Sequence, residues 1–139
     1  MTTFVIDASI AVRWVVDLPF SDQACALLDH GSRLIAPDFL HAEVGSALTK
    51  LVRCKVLSRA DGVLAFEDFF RAPVRILAAH PVAHQAFKLA LQSGQGFYDC
   101  LYLALAEAEQ GLFATADGRF WNAMKATPHG RRIHFVGTL

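Results

Sequence analysis

The sequence predicts one α/β domain over residues 1–139, with a central parallel sheet flanked by helices on both faces. Three observations carry this. Short β-type runs alternate with helical stretches along the chain, the pattern of repeated strand–helix–strand units. No Pro/Gly/Ser-rich linker, internal repeat or low-complexity tract divides it. And 54% hydrophobic against 19% charged residues, in a chain of 139, supplies enough apolar material for one real core.

The elements follow in order. TFVI at 3–6 is the first strand, ending at Asp7, and residues 8–16 read as a helix before the break at Pro19. Ser21 to His30 forms a second helical stretch, with apolar spacing at Ala24, Leu27 and Leu28 and a stop at Gly31. RLIA at 33–36 is the next strand, and Pro37 with Asp38 opens a longer helix through about Arg53. Ser58 and Asp61 make a capping arrangement for a helix carrying Val63, Leu64, Phe66 and Phe70. VRILA at 74–78 is a strand, and Pro81 suits an early position of a helix running to about Ser93. Gly94 and Gly96 interrupt. Phe97 to Gln110 is strongly helical, with Leu101, Leu105 and Ala108 on one side, and Gly111 stops it. LFAT at 112–115 and IHFV at 133–136 are the last strands.

Composition narrows the function classes. No apolar run approaches the about 18 residues that a membrane span requires. The start, MTTFVIDASI, lacks the charged n-region and small-residue cleavage site of a signal peptide. Cys25, Cys54 and Cys100 are scattered and odd in number, which fits a reducing compartment, so a soluble cytoplasmic protein is expected. Formal net charge is zero, so composition alone makes no electrostatic case for nucleic acid. After Asp117 the chain carries Arg119, Lys125, Arg131 and Arg132 and no further acid. That run reads either as a solvated surface or as a phosphate contact. The high apolar content also points to some surface covered by another chain.

Four acids stand out by position. Asp7 follows an apolar strand and precedes a helix, a place for a helix cap or a functional acid. Glu43 interrupts the apolar stretch FLHAEVGSAL near the start of a helix, where an acid is costly unless a cation or donors satisfy it. Asp99 is the most anomalous, because GFYDCLYLALAEA is otherwise almost continuously apolar until Glu107. Its place in the first helical turn gives a dipole-based reason for an acid. Asp117, in TADGRF, is a turn residue or a fourth member of the set. In an open parallel sheet the functional crevice lies beyond the carboxyl ends of the strands, which is where Asp7 and Asp117 fall. Clustered carboxylates repel one another unless divalent cations neutralise them, and hard oxygen donors favour magnesium, with manganese as a substitute. Such a site suits phosphodiester hydrolysis by metal-activated water.

The set VIDASIAVRW, APDFLHAEVGSAL, FYDCLYLALAEA and TADGRF resembles PIN-domain ribonucleases, specifically the VapC-type toxins of bacterial toxin–antitoxin pairs. The match runs from Thr3 to about Phe120, and the combination of motifs is specific where each motif alone is not. The resemblance implies a PIN-like fold and a catalytic metal site of Asp7, Glu43, Asp99 and Asp117, with Asp7 and Asp99 the most direct ligands. It gives Ser9 and Thr115 as hydroxyls that orient carboxylates or water. It further implies an RNA substrate, a homodimer and a cognate antitoxin. Arg13 and Arg119 are candidate contacts to substrate phosphate, with structural arginines as the alternative, and Lys50, Arg53 and Lys55 invite the same double reading. Where similar proteins often carry Ser or Thr two residues before the Tyr-Asp pair, this chain has Gly96.

Other readings were weighed. His41 and Glu43 form an H-x-E, but the P-C-x-x-C partner of zinc deaminases is absent. Phe66, Phe69 and Phe70 sit at helical spacing, which suits a core or, where exposed, an antitoxin helix. An aspartate-nucleophile phosphatase would need a second acid two residues after Asp7, where Ser9 stands. A catalytically inactive PIN-like module binding RNA or protein is the remaining alternative.

Overall fold

A computed structural model describes residues 1–29 and 31–137. Five strands, β1 (Thr3–Ile6), β2 (Arg33–Pro37), β3 (Arg75–Leu77), β4 (Leu112–Thr115) and β5 (Ile133–Phe135), form a wholly parallel sheet in the order β3-β2-β1-β4-β5. The helices are α1 (Ala8–Val15), α2 (Ser21–Ala26), α3 (Leu40–Arg53), α4 (Arg59–Phe69), α5 (Ala83–Ser93), α6 (Phe97–Ala108) and α7 (Gly118–Met124), with short 3₁₀ turns at His80–Val82 and Pro128–Arg132. The chain moves outward from β1 to β3 and then returns to β4 on the far side of β1. Right-handed crossovers in opposite directions place their helices on opposite faces. Accordingly α1 packs with α2, α3 and α4, while α6 pairs with α5 and lies across β1, β2 and β4.

This placement explains the apolar character of α6. Every residue from Cys100 to Ala106 is buried, so the helix is hydrophobic all round, as an interior helix must be. The turn after it is equally constrained. Gln110 adopts φ 54°, and a Cβ on Gly111 would stand 2.6 Å from the Thr3 carbonyl oxygen. Only glycine lets the chain re-enter the sheet so close to β1.

Three expectations need correction. Pro37 does not open a helix: it is the last residue of β2, in register with Leu77. Its ring removes an N–H that a strand end can spare, and α3 starts at Leu40 after Phe39, without a side-chain cap. Asp38 instead accepts a hydrogen bond from the Ala79 N–H at 3.4 Å, tying β2 to the segment after β3. The second helix is shorter than its apolar spacing implies, ending at Ala26, with Leu27 and Leu28 in turn conformation and the expected end, His30, outside the described residues. Helix α7 has no apolar periodicity long enough to read and was not expected, and Asp117, for which a turn was one of two readings, is its N-cap.

Candidate active site

The strand order reverses between β1 and β4, and at that switch point the first acid sits. Asp7 directly follows β1 and N-caps α1, its Oδ1 accepting from the Ile10 N–H at 3.0 Å. The Ser9 hydroxyl donates to the same oxygen at 2.6 Å, and the Thr115 hydroxyl, at the end of β4, donates to Oδ2 at 2.6 Å. Each hydroxyl has a single proton, and both protons point at Asp7. The hydroxyl oxygens are themselves held, Ser9 Oγ by the Ala116 N–H at 2.9 Å and Thr115 Oγ1 by the Asp117 N–H at 3.1 Å. Two neighbouring strand ends are thereby laced through one carboxylate.

Burial still dominates its charge state. Asp7 is 5% exposed, and loss of water raises its pKa from 3.8 to about 6, against the lowering effect of three hydrogen bonds and with a further push from Glu43. About four lone-pair positions exist on a carboxylate, and three are used, so one remains for a further partner.

The other three acids reach the same place from separate elements. Glu43 comes from the first turn of α3, and its Oε1 accepts a 2.6 Å hydrogen bond from the Tyr102 hydroxyl. Tyr102 is 1% exposed, stacked on Phe113 at 5.4 Å and edge-on to Phe39 at 5.2 Å. Its pKa is driven well above the ordinary value, by burial first and then by Glu43, so it acts only as a donor. Asp117 caps α7 through Oδ1, which accepts from the Arg119 and Phe120 N–H groups at 3.0 and 3.3 Å, leaving Oδ2 free among the described residues. Asp99, in the first turn of α6, has no hydrogen-bond partner there at all. Its pKa is raised from 3.8 to about 6 by burial and then by the charges of Asp117, Asp7 and Glu43.

These four acids line one cavity of about 810 Å³. Among the described residues, no three His, Cys, Asp or Glu side chains already stand grouped closely enough to hold an ion. The acids nevertheless feel one another, since Asp117, Asp7 and Glu43 each push the Asp99 pKa up. The donor set itself, carboxylate oxygens alone with Asp99 unpartnered, fits a hard divalent cation.

The cavity takes up some of the predicted residues and leaves others. Ser9 lines it and Thr115 backs it through Asp7. Arg13 does not line it: its Nε donates to the Pro19 carbonyl at 2.7 Å and its Nη1 to the Ser9 carbonyl at 2.8 Å, a brace for α1 and the loop after it. Arg119 is exposed outside the cavity. Lys50 and Arg53, left open by sequence, do line it, with Tyr98. Tyr102 was missed. Its register in the apolar α6 run marks it only as core, and nothing local shows that Glu43, 59 residues away, would meet it. At Gly96, the N-cap of α6, a Cβ would lie 3.5 Å from Asp99 Oδ2, so the missing side chain is one that would have faced Asp99.

Comparison with known proteins gives a consistent likeness. A family model described as PIN domain matches residues 4–125. The chain is 32% identical over 116 residues to Ribonuclease VapC3 of Pyrobaculum aerophilum, covering 81% of this chain and 88% of that protein. In fold it is similar to Mycobacterium tuberculosis VapC20, described as a sarcin-ricin loop cleaving toxin (TM-score 0.64, 16% identity, 87% of this chain and 95% of that one). It is likewise similar to a chain of a toxin–antitoxin complex from Klebsiella pneumoniae (TM-score 0.67, 12% identity, 97% and 98% covered).

Proposed function

Because the chain belongs to the PIN-domain family, we propose that it is a magnesium-dependent endoribonuclease, the toxin of a VapBC-type pair, cutting RNA phosphodiester bonds at Asp7, Glu43, Asp99 and Asp117. The observation that carries this reading is the convergence of four acids from four elements on one cavity at the switch point of the sheet. Short of protonation, a cation is what relieves that much like charge, and the likeness to a named ribonuclease supplies the substrate.

Within this reading Asp99, Glu43, Asp117 and the remaining lone pair of Asp7 hold the metal. Bound there, magnesium supplies activation of water and neutralisation of charge building on the phosphate. The protein supplies position. Ser9 and Thr115 fix both oxygens of Asp7, Tyr102 fixes one oxygen of Glu43, and the start of α7 fixes one of Asp117. Asp99 alone is left to adjust. A nucleophilic role for Asp7 in phosphatase chemistry is disfavoured, since the carboxylate is buried and three donors hold it.

The partners follow from the same reading. The fold likeness to a chain of a toxin–antitoxin complex supports a cognate antitoxin, and the exposed Val63, Leu64 and Phe70 of the α4 region offer an apolar face for one of its helices. A homodimer, of twice the 15.2 kDa chain mass, and a cytoplasmic location complete the proposal. No helix among the described residues is long and apolar enough to cross a membrane.

The test uses purified, antitoxin-free protein with total cellular RNA, in magnesium and in chelator, beside Asp7→Asn and Asp99→Asn. Cleavage in magnesium by the parent alone is expected. Equal cleavage by parent and variants, or cleavage that survives chelation, would refute the mechanism.

A further inference from the structure

The wall of the acidic cavity formed by α3 changes sign along its length. Glu43 lies in the first turn, Ser46 and Ala47 follow on the same wall, and Lys50 and Arg53 close it in the last turn, all lining the cavity. At 1.5 Å per residue, Lys50 and Arg53 stand about 10 and 15 Å along the helix from Glu43. Neither cation forms an ion pair or a side-chain hydrogen bond among the described residues, although unpaired acids share their cavity. Neither is paired with those acids, so their charge remains available to a substrate that extends along α3.

Across the same cavity stands Tyr98, next in sequence to Asp99. It is 56% exposed, and Phe39, edge-on at 5.1 Å, buttresses one side of its ring. More than half of this large residue is left in water where it lines the acidic cavity, which is more exposure than its edge-on contact with Phe39 requires. It does offer a flat face held in a fixed orientation, which is what stacking a base requires.

We propose that the substrate strand runs along α3, with phosphates flanking the cleaved bond on Lys50 and Arg53 and an unpaired base stacked on Tyr98. This rests on the reading that the acids cleave RNA. The combination discriminates between occupants. A duplex keeps its bases stacked on one another and has none to give Tyr98, and an apolar protein surface has no use for two unpaired cations on the cavity wall.

The experiment measures binding of a short fluorescein-labelled single-stranded RNA of mixed sequence, and of the same sequence closed into a duplex. It uses the antitoxin-free Asp99→Asn protein, in magnesium, so that the probe stays intact. Adding Tyr98→Ala weakens single-strand binding by about tenfold, and Tyr98→Phe restores it. Adding Lys50→Ala and Arg53→Ala together lowers the slope of log affinity against log salt by about 1.4, two phosphates at about 0.7 each. Molar mass by light scattering stays that of the parent in every variant. Binding by the Tyr98→Ala protein as tight as its parent, an unchanged salt slope, or tighter binding of the duplex overturns the strand path. So does a loss that tracks a fall in molar mass, which would assign Tyr98 to contact with a second copy of the chain. In all of those cases cleavage of total RNA by the unmutated protein leaves the nuclease reading standing. Absence of both cleavage and binding by unmutated protein removes both.

Discussion

Asp99→Asn should make the metal-free protein more stable while it destroys activity. The carboxylate has no hydrogen-bond partner among the described residues, and burial together with Asp117, Asp7 and Glu43 raises its pKa from 3.8 to about 6. At 1.36 kcal/mol per pH unit, ionising it in the folded state costs about 3 kcal/mol relative to the unfolded chain. Its half-buried position leaves some water in contact, so about 1–2 kcal/mol is the expected effect. The sign follows from the raised value. Stability is fully present below pH 3.8, where both states are protonated, and is lost as pH rises through about 6. Asparagine keeps the shape and removes the charge. For a chain of 139 residues, about 1–2 kcal/mol corresponds to about 3–7 °C in Tm.

The assay is calorimetric melting of parent and variant in chelator across that pH range, repeated with magnesium. The gap in Tm should be widest above the raised pKa and should close below 3.8. Magnesium should lift the parent and leave the variant almost unchanged, because the ion relieves the same repulsion that the substitution removes. A variant less stable than its parent in chelator, or a gap that does not change with pH, would refute the claim that Asp99 is held there against its electrostatic preference.

Two further substitutions separate positioning from charge. Tyr102→Phe removes the 2.6 Å donor to Glu43 and leaves the ring packing in place; magnesium binding, read by titration calorimetry, should weaken by about tenfold. Unchanged affinity would show that Glu43 needs no anchor. Gly96→Ser supplies an N-cap and a hydroxyl facing Asp99 Oδ2; it should lower the Asp99 pKa, followed by carboxyl NMR titration, and add about 0.5–1 kcal/mol of stability at neutral pH in chelator. An Asp99 that titrates as before would place that hydroxyl out of reach.

Asp7, Glu43 and Asp99 were legible in the sequence because each breaks a local pattern: an acid after an apolar strand, an acid in an apolar helix face, an acid in an otherwise almost continuously apolar helix. Local periodicity records which side of an element faces the core, so a violation of it is visible in one dimension. The parallel sheet was legible for the same reason, as five apolar runs separated by helical ones. Pro37 and α7 were misread because a proline serves a strand end as well as a helix start, and because seven residues hold too few turns to show a period.

What the sequence by itself determined, then, is the set of anomalous acids and the kind of sheet that gathers them. Only the tertiary structure decided how they meet. The order β3-β2-β1-β4-β5 brings Thr115 to within 2.6 Å of Asp7 across 108 residues of chain, and the packing of α6 brings Tyr102 to Glu43 across 59. It also sorted the cations, setting Lys50 and Arg53 on the cavity wall while Arg13 braces a loop and Arg119 faces water. Those pairings depend on strand order and helix docking summed over the whole domain, and no local window of the chain carries that information.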